Sequence, residues 1–146
     1  VAVTASIRLS SEGTELARLE AFADAFARGR GLPDDERIRL LLILEELFTN
    51  VVVHGYAPGS DKGSISVALG WSDGRWTIDL VDNGRPFDPL ARAAPDLDAP
   101  GEERQIGGLG IHIVRSLVDE ARYRRSGRRN HLQLARQVSP PAAAAG

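Results

Sequence analysis

The chain has 146 residues, 42% hydrophobic and 26% charged, with a formal net charge of −2, a composition that fits one soluble globular domain with a single core. The charge balance argues against general nucleic-acid binding. No run of about 18 apolar residues exists to span a membrane, and zero cysteines exclude disulfides and thiolate metal sites.

Val1-Ala2-Val3-Thr4 lacks the basic-then-apolar layout of a signal peptide, which places the protein in the cytoplasm. Val3, Ala5, Ile7 and Leu9 alternate with polar or small residues and predict a first strand. After a break at Ser10-Ser11-Glu12-Gly13, the spacing of Leu16, Leu19, Phe22, Ala23 and Phe26 predicts an amphipathic helix ending near Gly29-Arg30-Gly31. Pro33-Asp34-Asp35-Glu36 is a helix-start signal, because proline and acidic residues suit the first turn. The helix it launches carries the apolar-periodic run from Ile38 to Tyr56 and stops at Gly55-Tyr56-Ala57-Pro58-Gly59.

Beyond a loop at 58–63, Ile65, Val67, Leu69 and Trp71 alternate on one strand, and Trp76, Ile78 and Leu80 on the next. Ser72-Asp73-Gly74 between them is a tight-turn signal, so the two form an antiparallel hairpin. From Asp88 to Gln105 periodicity is lost in favour of Pro, Asp, Ala and Glu, and a stretch of that kind inside a compact domain reads as a lid. Gly107-Gly108-Leu109-Gly110 precedes a helix carrying Ile111, Ile113, Val114, Leu117 and Val118. Two closing strands are predicted near 120–125 and 130–137, joined at Ser126-Gly127, with 1–137 forming the domain and 138–146 a Pro/Ala-rich flexible tail. Arg122, Arg124, Arg125, Arg128 and Arg129 form a basic cluster, read as a solvated hairpin ahead of a docking patch for an acidic partner.

Three short constellations carry chemistry. On the central helix Glu46 and Asn50 are four residues apart, about 40° around the axis, and so share one face. A carboxylate and a carboxamide placed this way suit proton acceptance and cation binding through the amide oxygen. Asp82-x-Gly84 ends a predicted strand, putting an acceptor at a sheet edge beside a residue that permits close backbone approach; a strand-ending turn explains the same residues. Gly107-Gly108-Leu109-Gly110 at a helix amino end turns amides toward an anion, or serves as a hinge. His54, near a helix carboxyl end, reads as a structural residue ahead of a phosphoacceptor.

In order, helical Glu46-x-x-x-Asn50, strand-end Asp82-x-Gly84, a lid-like segment and Gly108-x-Gly110 resemble the signature of the GHKL (Bergerat-fold) ATPases. Asn50-Val51-Val52-Val53-His54-Gly55-Tyr56, the stretch 82–89 and the stretch 107–114 resemble the anti-sigma-factor serine-kinase branch of that superfamily. The resemblance implies an α+β two-layer sandwich, a mixed, mostly antiparallel sheet with helices on one face, and a kinase that uses ATP and Mg2+ to phosphorylate a STAS-type anti-anti-sigma partner. It also implies that a sigma factor is a further partner and that the chain forms a homodimer.

Residue by residue, it makes Glu46 the catalytic base and Asn50 the magnesium ligand. Asp82 becomes the acceptor for the adenine amino group, with Gly84 letting the base lie close. Gly108 and Gly110, with the amide of Leu109 between them, become the phosphate cradle, and Arg104 the lid's partner for the γ-phosphate. Two departures stand out. Where many members carry a Gly-Thr pair near the last strand, this chain reads Arg128-Arg129-Asn130-His131 with Asn130 as the substitute, and the lid is poor in basic residues. The alternatives are a nucleotide-dependent binding module that sequesters a sigma factor or another regulator without kinase activity, and a simple ATPase without a protein substrate.

Overall fold

The alternation written into the strands is realised as a single sheet in the order β1-β2-β3-β5-β4, with every neighbouring pair antiparallel. The computed structural model describes residues 3–60, 63–91 and 106–138. The strands are β1 (Val3–Ser10), β2 (Ser64–Ser72), β3 (Arg75–Asp82), β4 (Glu120–Ser126) and β5 (Arg129–Gln137); the helices are α1 (Leu16–Gly29), α2 (Asp34–Gly55) and α3 (Ile106–Leu117). This is the expected two-layer α+β sandwich.

Period-2 patterning decides which face is covered. Ile65, Val67 and Leu69 of β2, Trp76, Ile78 and Leu80 of β3, and Leu132 and Leu134 of β5 are all at most 3% exposed. They pack on Leu19, Ala23 and Phe26 of α1, Leu40, Ile43, Leu44, Leu47 and Phe48 of α2, and Ile111 and Val114 of α3. The alternate residues form the uncovered face, where Arg8, Ser66, Val81, His131 and Arg124 lie side by side across the sheet in register. Two-residue loops close both hairpins. Asp73 and Gly74 have φ of 53° and 71°, which matches the twist of the flanking strands.

The register puts β3 in the middle of the sheet. Trp76 opposite Arg136 lies toward one end, and Asp82 opposite Asn130 lies at the other. The central helix α2 crosses the covered face, with buried Glu36 in its first turn and buried Gly55 at its end.

Two elements differ from expectation. α3 begins at Ile106, so Gly107, Gly108 and Gly110 are helical residues where the glycines predict a loop ahead of the helix. Of the lid-like segment, Pro89–Ala91 form a short 3-10 turn. Arg104, the rest of the lid, the side chains of 106–109 (among them Leu109) and the tail from 139 onward lie outside the described residues.

Candidate functional site

Asn50 is buried, 5% exposed, on the flank of α2. Its Nδ2 donates to the Glu46 carbonyl at 2.7 Å. That bond fixes the amide orientation: the nitrogen is committed to the helix and Oδ1 is the atom left to accept. No described residue donates to it. Glu46 is half-buried and its carboxylate lies directly against α3, since a Cβ built on Gly110 would stand 1.9 Å from Glu46 Oε2. Gly110 is therefore the residue whose missing side chain lets the carboxylate occupy the space between the two helices. By their position in the helix, the N–H groups of 106–108 have no intrahelical acceptor, so orphan donors stand in the turn that precedes Gly110.

The carboxyl end of α2 is docked on the turn after β3. Arg85 N–H donates to the Gly55 carbonyl at 2.8 Å and Arg85 Nε to the His54 carbonyl at 2.8 Å. The approach is close enough that a Cβ on Gly84 would meet the Gly55 oxygen at 2.6 Å. Gly84 thus has a structural duty, admitting the helix end, beside the ligand-side duty that the resemblance implies. His54 stacks on Phe87 with ring centroids 4.7 Å apart and planes 19° from parallel, a packing role in keeping with the structural reading.

Asp82, only 4% exposed, is held by one oxygen. Its Oδ1 accepts from Gly84 N–H at 2.9 Å and from Asn130 Nδ2 at 2.9 Å, while Oδ2 accepts from no described residue. One carboxylate oxygen thus keeps its acceptor capacity, and the arrangement suits a ligand N–H. Tyr56 adds a rigid neighbour: its hydroxyl donates to Asn83 Oδ1 at 2.7 Å. Burial first, and the nearby Asp82 charge second, push the phenol up to about 12.

Among the described residues no three acidic or histidine side chains converge as a metal cage. Mg2+ bound with a nucleotide does not ask for one, since it takes one or two protein oxygens beside phosphates and waters. The free Oδ1 of Asn50 fits that demand.

Of the sequence-predicted residues, Glu46 and Gly110 are brought together at the α2–α3 seam with Asn50 one turn further along α2, while Asp82 and Gly84 sit where α2 ends. Gly108 and Leu109 contribute backbone in the first turn of α3, and Arg104 lies outside the described residues. Arg125 belongs by sequence to the basic cluster expected on a solvated hairpin, yet it reaches inward, donating from Nη1 to the Gly84 carbonyl at 2.7 Å and to Asn130 Oδ1 at 3.2 Å. Period 2 holds the signal for Asn130 as well: it continues the row Leu132, Leu134 on the core face.

Known proteins resemble this chain. The chain is 29% identical over 104 residues, 71% of its length and 72% of the other's, to the serine/threonine-protein kinase BtrW of Bordetella bronchiseptica. It is 30% identical over 98 residues to the serine-protein kinase RsbW of Bacillus cereus, spanning 64% of this chain and 60% of that protein. A fold likeness at TM-score 0.68 and 22% identity covers 96% of this chain and 34% of the RsbU and RsbW domains of Rv1364c from Mycobacterium tuberculosis. A second, at TM-score 0.54 and 18% identity, covers 86% of this chain and 60% of the histidine kinase domain of the Erythrobacter litoralis EL346 blue-light activated kinase. The family model for the histidine kinase-like ATPase domain matches residues 9–136, from the first strand to the last and across every described side chain of the site; the chain belongs to that family.

Proposed function

We propose that this chain is a serine/threonine protein kinase that transfers the γ-phosphoryl group of ATP to a serine of a STAS-type anti-anti-sigma partner, and that it also holds a sigma factor. The observation that carries the reading is the α2–α3 seam: the Glu46 carboxylate lies against Gly110, one helical turn from the free amide oxygen of Asn50, on a helix whose end abuts Asp82. The kinase names of BtrW and RsbW support it.

Asp82 Oδ2 accepts an N–H from the purine, and the first-turn amides of α3 receive phosphate oxygens. Asn50 Oδ1 would hold Mg2+, which when bound supplies charge neutralisation across the phosphates. Glu46 takes the proton of the attacking serine hydroxyl as its oxygen bonds to the γ-phosphorus and the bond to the β,γ-bridging oxygen breaks, leaving ADP. Little else is asked of the protein, because phosphoryl transfer rests on positioning and electrostatics.

Incubation with a folded, binding STAS partner and labelled ATP at saturating magnesium tests the assignment, and absence of transfer refutes it. Glu46→Gln should lower transfer by about 100-fold or more while nucleotide affinity, read by calorimetry, stays within about threefold. Full activity in that variant removes Glu46 as the base.

A sequestering role has its own support. The outward side of α2 exposes Ile38 at 57%, Leu42 at 41% and Val53 at 59%, a stripe at helical spacing of the kind regulators dock on. Capture of a sigma factor with ATP, abolished by Leu42→Asp while partner phosphorylation continues, is the expected outcome if both activities reside here.

A further inference from the structure

Asn130 is a buried side chain, 4% exposed, with a fully specified amide. On its oxygen side stand three donors: the Tyr123 hydroxyl, Arg125 Nη1 at 3.2 Å and the Phe87 N–H at 3.4 Å. On its nitrogen side stand two acceptors, Asp82 Oδ1 at 2.9 Å and the Arg85 carbonyl at 2.8 Å. A flipped amide would set donors against donors and acceptors against acceptors, so only one orientation satisfies the five contacts. The register agrees, because Asn130 lies directly opposite Asp82 on the neighbouring strand.

The consequence falls on Asp82. Its Oδ1 already accepts two hydrogen bonds, one from Gly84 N–H and one from Asn130 Nδ2, which fills both lone pairs. One carboxylate oxygen is left for a ligand. An ionised carboxylate with both oxygens open pairs well with guanine, whose N1–H and 2-amino group stand side by side as two donors. Adenine presents a single 6-amino donor beside an acceptor nitrogen, and one oxygen is enough for it. A guanine brought to a half-filled carboxylate leaves a donor unpaired, and an unpaired buried donor is costly.

We infer that Asn130 is a positioning residue for purine selection: by saturating one oxygen of Asp82 it blocks the two-oxygen contact that guanine needs and so favours adenine nucleotides. The inference rests on the nucleotide reading above, and it names the determinant of base choice within that site. It also gives a physical reason for an asparagine where the resemblance leads one to expect a hydroxyl residue, since either can donate to Asp82 while a purely apolar side chain cannot.

Calorimetric titration of the wild type with ATP, GTP and ITP, compared with Asn130→Thr and Asn130→Val, tests it. Threonine and valine have the same shape and differ in the donor. The wild type and Asn130→Thr should prefer ATP and bind ITP about tenfold more tightly than GTP, because only the 2-amino group of GTP is left without a partner. Asn130→Val should bind GTP about tenfold more tightly than ITP and lose about tenfold of the ATP preference. A role confined to stability would weaken all three nucleotides together and leave their ratios fixed, and that result overturns the inference, as does a Thr variant that behaves like Val. Should the Val variant fail to fold, Tyr123→Phe, which loosens the amide from its oxygen side, should shift the ratios the same way by about threefold; unchanged ratios there are equally fatal. A wild type that binds no nucleotide refutes the nucleotide reading itself, an outcome distinct from unchanged ratios in a protein that binds ATP.

Discussion

Two buried carboxylates sit at opposite ends of the β3–β5 pair, and they are treated in opposite ways. Glu36, at the start of α2, has both oxygens occupied: Oε1 accepts from Arg39 at 2.6 Å and Arg136 Nη2 at 3.1 Å, and Oε2 from Arg136 Nε at 2.9 Å and the Trp76 indole at 3.2 Å. Asp82, at the far end, has one oxygen held by neutral donors and the other open to a ligand. Both are nearly inaccessible, at 3% and 4% exposure, so burial alone does not tell them apart. What separates the structural acid from the acid we propose to bind the nucleotide is the number of lone pairs the fold has already used.

Isosteric amides at the two positions offer the sharpest way to break that contrast. Glu36→Gln places an NH2 among arginine donors and should destabilise the fold by about 3 kcal/mol, the low end for a broken buried pair because Arg136 keeps part of its side chain in water. Urea unfolding measures this, and nucleotide affinity of the folded protein should be unchanged. Asp82→Asn keeps an acceptor for Gly84 and Asn130 and turns a donor toward the ligand. ATP affinity should fall about 30-fold, about 2 kcal/mol, with stability altered by less than about 1 kcal/mol. Equal destabilisation by both variants would erase the distinction.

Gly110→Ala asks whether placement of the third carboxylate, Glu46, matters apart from its presence. The added methyl displaces a flexible side-chain end and alanine is the better helix former by about 1 kcal/mol. Stability should therefore hold or rise while the transfer rate drops about tenfold, about 1.4 kcal/mol. An unaffected rate would detach Gly110 from the chemistry.

The gentlest test uses pH. Burial raises the Glu36 carboxyl, but hydrogen bonds from Arg136, Trp76 and Arg39 outweigh it and hold the group below its ordinary 4.5. A lowered folded value means that the stabilisation is complete above pH 4.5 and disappears as pH falls through the folded value. The stability gap between wild type and Glu36→Gln should be constant from pH 7 to about pH 5 and narrow below 4.5; a gap that widens in acid contradicts the assigned charge state.

Much of this was readable in the chain, and the exceptions share a cause. Strand alternation and the Asp73-Gly74 turn predict β2 and β3, and helical spacing predicts α2 with Glu46 and Asn50 on one face, because these are local patterns. Glu36 stands in the run Asp34-Asp35-Glu36, which reads as solvated helix-start charge, yet it continues the buried row of Leu40, Ile43 and Leu47. Its partner Arg136 is 100 residues away, a pairing that only the sheet register creates. The same holds for Asn130 with Asp82. α3 begins early because packing on α2 outweighs the reluctance of glycine to be helical, about 1 kcal/mol per residue.

The docked end of α2 has a consequence for how a nucleotide would lie in the proposed site. A helix is electrically lopsided, and the two helices that frame the site offer opposite poles: the negative terminus of α2, masked by the Arg85 guanidinium on the His54 carbonyl, beside Asp82, and the positive terminus of α3 beside Glu46. In the proposed site, an elongated guest with an uncharged head and a polyanionic tail would be sorted end for end as it arrives, its head drawn to the quenched pole and its tail to the open one.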